Sequence, residues 1–161
     1  MDNETSGRFA ALEARIRTLE DHVAIYQLMM GYGPAVDAGE SELAAARWTD
    51  DGVYDAQVGA WTGRADIAGM VDGEMHQGII RGGAAHVTAM PYLTIDGDHA
   101  VATAYAQLCR VANGEFQVWR VTATRWELRR TPDGWRVASR VNRVLDGDPE
   151  AQALLRRGVT E

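Results

Sequence analysis

Three tight-turn signals, Asp96-Gly97-Asp98, Asn113-Gly114 and Pro132-Asp133-Gly134, cut residues 84–146 into four long segments. Asn-Gly and Asp-Gly between apolar-rich runs mark hairpins, because these residues tolerate the positive φ that short turns demand. The segments, 84–95, 99–111, 115–130 and 135–145, are rich in Val, Thr, Tyr and Trp. Such residues suit a pleated, half-buried surface, so four consecutive antiparallel strands in meander order are predicted. Strands this long normally twist and curl. A curled sheet has a concave side, and something must fill it.

The chain before residue 84 reads as that filling. Phe9, Leu12, Ile16, Leu19 and Val23 recur at intervals of three and four, the spacing of one helix face. The apolar seam then jumps to Ile25, Leu28, Met29, Tyr32 and Val36. The jump falls at Thr18-Leu19-Glu20-Asp21, which resembles a capping box with Asp in place of Glu. Either two helices meet there or one helix bends. Residues 1–6 are polar and predicted to be loose. Gly39 is placed to cap the end of this region. Gly31, Gly33 and Pro34 interrupt the pattern, and a glycine costs a helix about 1 kcal/mol against alanine. Close packing beside Tyr32 and Asp37 would account for that cluster.

Further along, Ser41 is a natural N-cap for a short helix to about Trp48. Asp50-Asp51-Gly52 turns the chain into a short strand, 53–55, with which residues 58–61 can pair. Thr62 is placed to cap a third helix whose stripe is Ile67, Met70, Val71, Met75 and Ile79, ended by Gly82-Gly83. Asp148-Pro149-Glu150 starts a last helix, and Arg156-Arg157-Gly158 stops it, giving 149–157. Helices followed by a meander imply an α+β arrangement, a single domain over 1–161 with its core in about 9–146. Both faces of the long strands carry large apolar side chains, so a homodimer or higher homo-oligomer through the outer face is predicted.

The formal charge of −7 disfavours nucleic acid and anionic membrane surfaces as partners. Cys109 is the only cysteine, so no internal disulfide forms. The acidic start, Met1-Asp2-Asn3-Glu4, lacks the basic and apolar regions of a signal peptide, and no apolar run reaches the length of a membrane span. The expectation is a soluble, cytoplasmic protein. There is no Gly-rich phosphate loop, zinc pattern or nucleophile motif, so no cofactor and no metal are expected. Asp50, Asp51 and Asp55 are read as turn residues rather than a metal site. Arg120, Arg125, Arg129, Arg130, Arg136 and Arg140 are read as solvated or cross-strand paired rows. His22 and His99 are expected at the surface, and His76 within reach of a pocket mouth.

The order Leu19-Glu20-Asp21…Ala24-Ile25, Tyr32 followed at five residues by Asp37, Trp48-Thr49-Asp50-Asp51-Gly52-Val53-Tyr54, Gly63-Arg64, Ala85-His86 opening a long strand, and Asp133-Gly134-Trp135-Arg136-Val137 resembles the SnoaL-like branch of the nuclear transport factor 2-like superfamily. The resemblance implies a cone-shaped α+β barrel, with N-terminal helices packed on a strongly curved antiparallel sheet around a deep apolar pocket. Relatives include scytalone dehydratase, bile acid 7α-dehydratase, a hexachlorocyclohexane dehydrochlorinase, polyketide cyclases and ketosteroid isomerase. They also include binding modules and small subunits of ring-hydroxylating dioxygenases that do no chemistry themselves, so fold alone does not fix function.

By position the resemblance assigns Asp37 to the acidic residue of these enzymes, His86 to their histidine, and Tyr32 and Tyr54 to the dehydratase tyrosines. Arg143 matches an arginine on the last strand of the bile acid enzyme. The sequence departs from scytalone dehydratase in two places: its second histidine has only His99 as a counterpart, and Met90 stands where several relatives carry asparagine. Chemically, a carboxylate that accepts from one imidazole nitrogen fixes the tautomer and leaves the other nitrogen as a base. A cofactor-independent lyase or isomerase acting on a lipophilic, cyclic, oxygenated small molecule is therefore expected. A non-catalytic binding protein and a structural subunit are the alternatives.

Overall fold

The computed structural model describes residues 3–160; Met1, Asp2 and Glu161 lie outside the described residues. Part of the segment expected to be loose, Met1 and Asp2, falls there, but from Asn3 the chain is already helical. Helix α1 runs unbroken from Asn3 to Met30. The jump in its apolar seam is thus neither a junction nor a boundary. Thr18 is an interior residue whose hydroxyl donates back to the Ala14 carbonyl, 3.1 Å away, so no capping box forms. The boundary comes at Gly31, and α2 follows over Tyr32–Asp37. Gly39, at φ 73°, ends it as expected.

Helix α3 covers only Ser41–Ala45, with Glu40 rather than Ser41 at the N-cap, because Trp48 is already extended. Strand β1, Trp48–Asp55, is accordingly longer than the sequence suggests, and β2, Ala60–Thr62, pairs with it antiparallel. The expected third helix is two: α4, Gly63–Asp72, and α5, Glu74–Arg81, separated by Gly73 in an extended conformation. Thr62 stands at the N-cap of α4 without a side-chain cap; instead the Asp66 carboxylate reaches back to the Thr62 N–H at 3.4 Å.

The expected first long strand is also two pieces, β3 (Ala84–Thr88) and β4 (Tyr92–Asp96), both antiparallel to β5 (His99–Ala112). Thr88 faces Ala106 and Tyr92 faces Thr103, so this edge carries one extra residue across Ala89-Met90-Pro91. Pro91 has no N–H to give the ladder, and the chain bulges there. β5, β6 (Glu115–Thr131) and β7 (Gly134–Val144) complete the antiparallel meander. Within 84–146 every pairing is antiparallel, as expected. Beyond it, β1 joins β7 in parallel, so the sheet is mixed, in the order β2-β1-β7-β6-β5-β3. It is strongly curved but does not close into a true barrel.

The pleat sorts β5 by size. Ala100, Ala102, Ala104, Ala106 and Leu108 alternate toward the concave side, all buried. Such small side chains leave room for the rings of Trp126 and Trp48 and for Ile25, Met29 and Val36 from the helices, which form the core. Asp21 ties α1 to the opposite end of the sheet, accepting from both Arg130 nitrogens at 2.7 Å and from the Trp135 indole at 2.9 Å. On the convex side lies α6, Pro149–Thr160, capped by Asp148, whose carboxylate accepts from the Glu150 N–H at 2.8 Å. It runs past the expected stop at Arg157 because Gly158 lets it press onto β5: a Cβ there would sit 1.7 Å from the Thr103 hydroxyl. Ala123, Ala151 and Leu154 fill this second, smaller core. Beside it Tyr92 and Tyr105 remain exposed.

Candidate active site

The site begins with Gly33. A Cβ built on this residue would lie 2.1 Å from the His86 carbonyl oxygen, so only glycine lets α2 lie directly on β3. That contact accounts for the glycine among helix-forming residues. Four residues on, at the end of α2, the Asp37 carboxylate meets His86 twice. One oxygen accepts from the His86 backbone N–H at 2.7 Å, and the other lies 2.5 Å from the ring Nδ1. A carboxylate can only accept, so Nδ1 carries a proton, and in the neutral ring Nε2 is left with a free lone pair. Because backbone and ring are held by one group, the orientation of the imidazole is fixed in two places.

His86 lines a cavity of about 380 Å³ whose walls are largely apolar, including Trp61, Met70, Ile79 and Leu108. A recess of about 20 Å³, room for one oxygen-sized group, adjoins it and shares Tyr32, Tyr54 and His86. Tyr32 and Tyr54 are both buried, with rings 6.4 Å apart at a steep angle. Tyr54 Oη accepts from the Asn142 amide at 3.1 Å, which leaves its own proton to donate. Burial, reinforced by Tyr54, pushes the Tyr32 phenol far above its usual range, so it stays protonated.

Arg143 is placed elsewhere. Its guanidinium is bonded to Asp55 at 2.7 Å and to Glu150 at 3.2 Å, and these carboxylates, Asp55 first, hold its pKa up. Successive residues of a strand face opposite sides, so Arg143 serves the outer face of β7, while Arg140 and Asn142 face the recess. Arg140, expected in a solvated or cross-strand paired row, is 3% exposed. Its guanidinium lies over the rings of Trp126, Tyr32 and Tyr54 at 4.1, 4.5 and 4.8 Å. Nε reaches the Thr124 hydroxyl at 3.4 Å, one terminal nitrogen has no hydrogen-bond partner, and no carboxylate among the described residues pairs with it. A buried cation without an acid is costly, and the three ring faces offset part of that cost. Arg120, also expected among the solvated or cross-strand paired rows, is half-buried and lines both cavity and recess. The other expected rows are paired: Arg129 with Asp51, Arg130 with Asp21 and Asp98, and Arg125 with Glu127.

A second imidazole enters from α5. His76 stacks on His86, with centroids 5.4 Å apart and planes at 27°. Its Nδ1 donates to the Val71 carbonyl at 3.2 Å, and its Nε2 is buried without a partner. Burial first, and the nearby His86 second, hold the His76 pKa below its ordinary value. The stripe read from the sequence put Met75 inward, yet Met75 is 71% exposed and His76 is 8% exposed. The break at Gly73 rotates α5 relative to α4; a Gly inside a helical stripe was the one available signal. His99, at the start of β5, is exposed and takes no part.

The SnoaL-like domain family matches residues 17–141. No protein of curated function matches the chain. An NTF2-like protein with a cystatin-like fold from Novosphingobium aromaticivorans is 41% identical, with a TM-score of 0.88 over 89% of this chain and 94% of that one. A candidate aromatic ring hydroxylase from the same organism is 27% identical, with a TM-score of 0.60 over 79% and 90% of the two chains. A candidate scytalone dehydratase, also from that organism, shares the fold at 17% identity, with a TM-score of 0.66 over 79% and 85%.

Proposed function

The chain belongs to the SnoaL-like domain family, and from that premise we propose a cofactor-independent lyase or isomerase for a lipophilic, cyclic, oxygenated small molecule. The observation that carries the reading is the pair of hydrogen bonds from His86 to Asp37 at the wall of an apolar cavity. In this reading His86 Nε2 takes a proton from a carbon next to a carbonyl. The electron pair moves onto the carbonyl oxygen, which sits in the recess lined by Arg140 and Tyr54. Donors aimed at the atom where charge develops are the strongest single source of such rate enhancement. The enolate then returns its electrons in one of two ways: in a β,γ-unsaturated ketone the γ-carbon takes the proton from His86 as the double bond moves to the α,β position, and in a β-hydroxy ketone the β-hydroxyl is expelled and leaves with that proton as water. His76, stacked on His86, backs that imidazole at the cavity wall.

The role expected of Arg143 passes to Arg140, because Arg143 is committed to Asp55 and Glu150. A homodimer through the outer face belongs to the same proposal, with Tyr92 and Tyr105 exposed beside α6 as its support. The alternative, a carrier with the same pocket, makes no use of a bare imidazole nitrogen. Deuterium incorporation separates the two. A bicyclic aromatic ketone such as 1-tetralone, incubated in D₂O and followed by proton NMR, exchanges its α-protons with the wild type and not with His86→Gln. Ligand binding, read by tryptophan fluorescence from the cavity, is retained in both. Binding by the wild type to such ketones with no exchange across the panel supports the carrier instead.

A further inference from the structure

We propose that α1 joins two copies of this chain through a parallel two-stranded coiled coil. Seven positions spaced alternately by three and four along this helix are all apolar: Phe9, Leu12, Ile16, Leu19, Val23, Tyr26 and Met30. That is a heptad seam, with Phe9, Ile16, Val23 and Met30 at a and Leu12, Leu19 and Tyr26 at d. The first five are 51% to 66% exposed, and every residue from 6 to 20 is exposed. This half of the helix stands clear of its own domain with a continuous apolar stripe in water, the signature of a missing partner.

The jump in the seam has a physical meaning. At about 100° per residue, Ile25, Leu28 and Met29, which enter the domain core, lie on the side of the helix opposite the a and d positions. Asp21, bonded to Arg130 and Trp135, shares that core-facing side. One helix therefore carries two apolar faces, one used within the chain and one not. Two features select the occupant. β-Branched Ile16 and Val23 at a with leucine at two of the three d positions, 12 and 19, is the pattern that favours two parallel strands. The flanking charges agree. Arg8 and Arg15 occupy g, and Glu13 and Glu20 occupy e. Side by side in parallel, each g residue meets the following e of the partner, giving Arg8 with Glu13 and Arg15 with Glu20 in both directions. Run antiparallel, g meets g and e meets e, and every flanking pair is of like charge. None of these four side chains has an ion pair within the described chain. A second copy is thus complementary to this surface in one orientation only.

The test uses cysteine at position 12 in the full chain, with Cys109→Ser removing the native thiol. In a parallel pair each d residue meets its own copy, so Leu12→Cys forms a covalent dimer under mild oxidation. Ala14→Cys, on the far side of the same helix, stays monomeric on a denaturing gel. Both positions are exposed in the single chain, so neither change disturbs folding, and circular dichroism checks this. Arg8→Glu with Arg15→Glu is expected to lower the extent of Leu12→Cys cross-linking several-fold, and adding Glu13→Arg with Glu20→Arg to restore it. Cross-linking at position 12 no faster than at position 14, or unaffected by the charge reversal, overturns the proposal. A dimer through the outer face does not use residues 8, 13, 15 and 20, so it cannot imitate the loss and rescue of cross-linking by charge reversal.

Discussion

Gly33→Ala is the smallest change that reaches the heart of the site. The added carbon would stand 2.1 Å from the His86 carbonyl oxygen, where ordinary contact begins near 3.4 Å. The obstacle is backbone in the middle of β3, so no side chain can swing away. Helix α2 or β3 must retreat by about 1 Å, and overpacking of this kind costs about 1–3 kcal/mol. Against it stands the gain of about 1 kcal/mol from alanine in a helix. The net effect, from about zero to a loss of about 2 kcal/mol, lowers the melting temperature by up to roughly 8 °C in a domain this size, and relative to an unobstructed Gly→Ala the deficit is the full cost of about 1–3 kcal/mol. Gly78→Ala is the matched control: it lies in α5 with nothing within 4 Å of the added carbon and should melt at or above the wild type. The retreat also stretches the Asp37–His86 bonds of 2.7 and 2.5 Å, and displacement of this order costs about 100-fold in rate. Calorimetry of the two alanine variants together with the deuterium-exchange assay decides it. A Gly33→Ala protein that melts no lower than Gly78→Ala and exchanges at the wild-type rate refutes the packing argument.

His76 makes stability depend on pH. Its folded pKa lies below the ordinary histidine value, so the unfolded chain binds the proton first. Stability is complete above about pH 6.5 and falls on acidification toward the lowered value, by at most about 1.4 kcal/mol per pH unit; His76→Gln should flatten that part of a melting-temperature profile measured from pH 7.5 to 5. Arg140→Met removes a buried cation that has no acid, so its melting temperature should not fall below that of the wild type, while exchange of the ketone drops by about 10²–10³-fold; loss of stability with exchange intact would return Arg140 to a purely structural role. Tyr105→Glu should weaken the proposed outer-face dimer in light scattering of a protein already carrying Leu12→Glu, and an unchanged mass would remove that interface.

The hairpins were legible because their chemistry is local. Asn113 and Gly114 both take positive φ, at 54° and 82°, and Gly97 and Gly134 do likewise, as their turns require. The breaks were less legible. Pro91 splits an expected strand and Gly73 an expected helix, and in each case one residue outweighed an otherwise continuous pattern. The exposed seam of α1 was visible as spacing, but periodicity says that a face is apolar and not which chain covers it. Arg140 was hidden among the five other arginines read with it as solvated or paired rows. Its burial follows from which side of β7 faces the cavity, and that parity is set by the register of β7 against both β6 and β1. Asp37 and His86 are separated by 49 positions, and no local rule joins them; the resemblance singled them out, and the absent side chain of Gly33 supplies the physical reason they meet.

The account rests on His86 holding its proton at Nδ1, against Asp37, with Nε2 bare at the cavity. Nitrogen-15 NMR of the histidine rings at neutral pH reads this without any substrate. Protonated Nδ1 and unprotonated Nε2 at His86, with the tautomer lost or mixed in Asp37→Asn, is the result the proposed base requires. A proton found on Nε2 of the wild type, or a tautomer indifferent to Asp37, would contradict it.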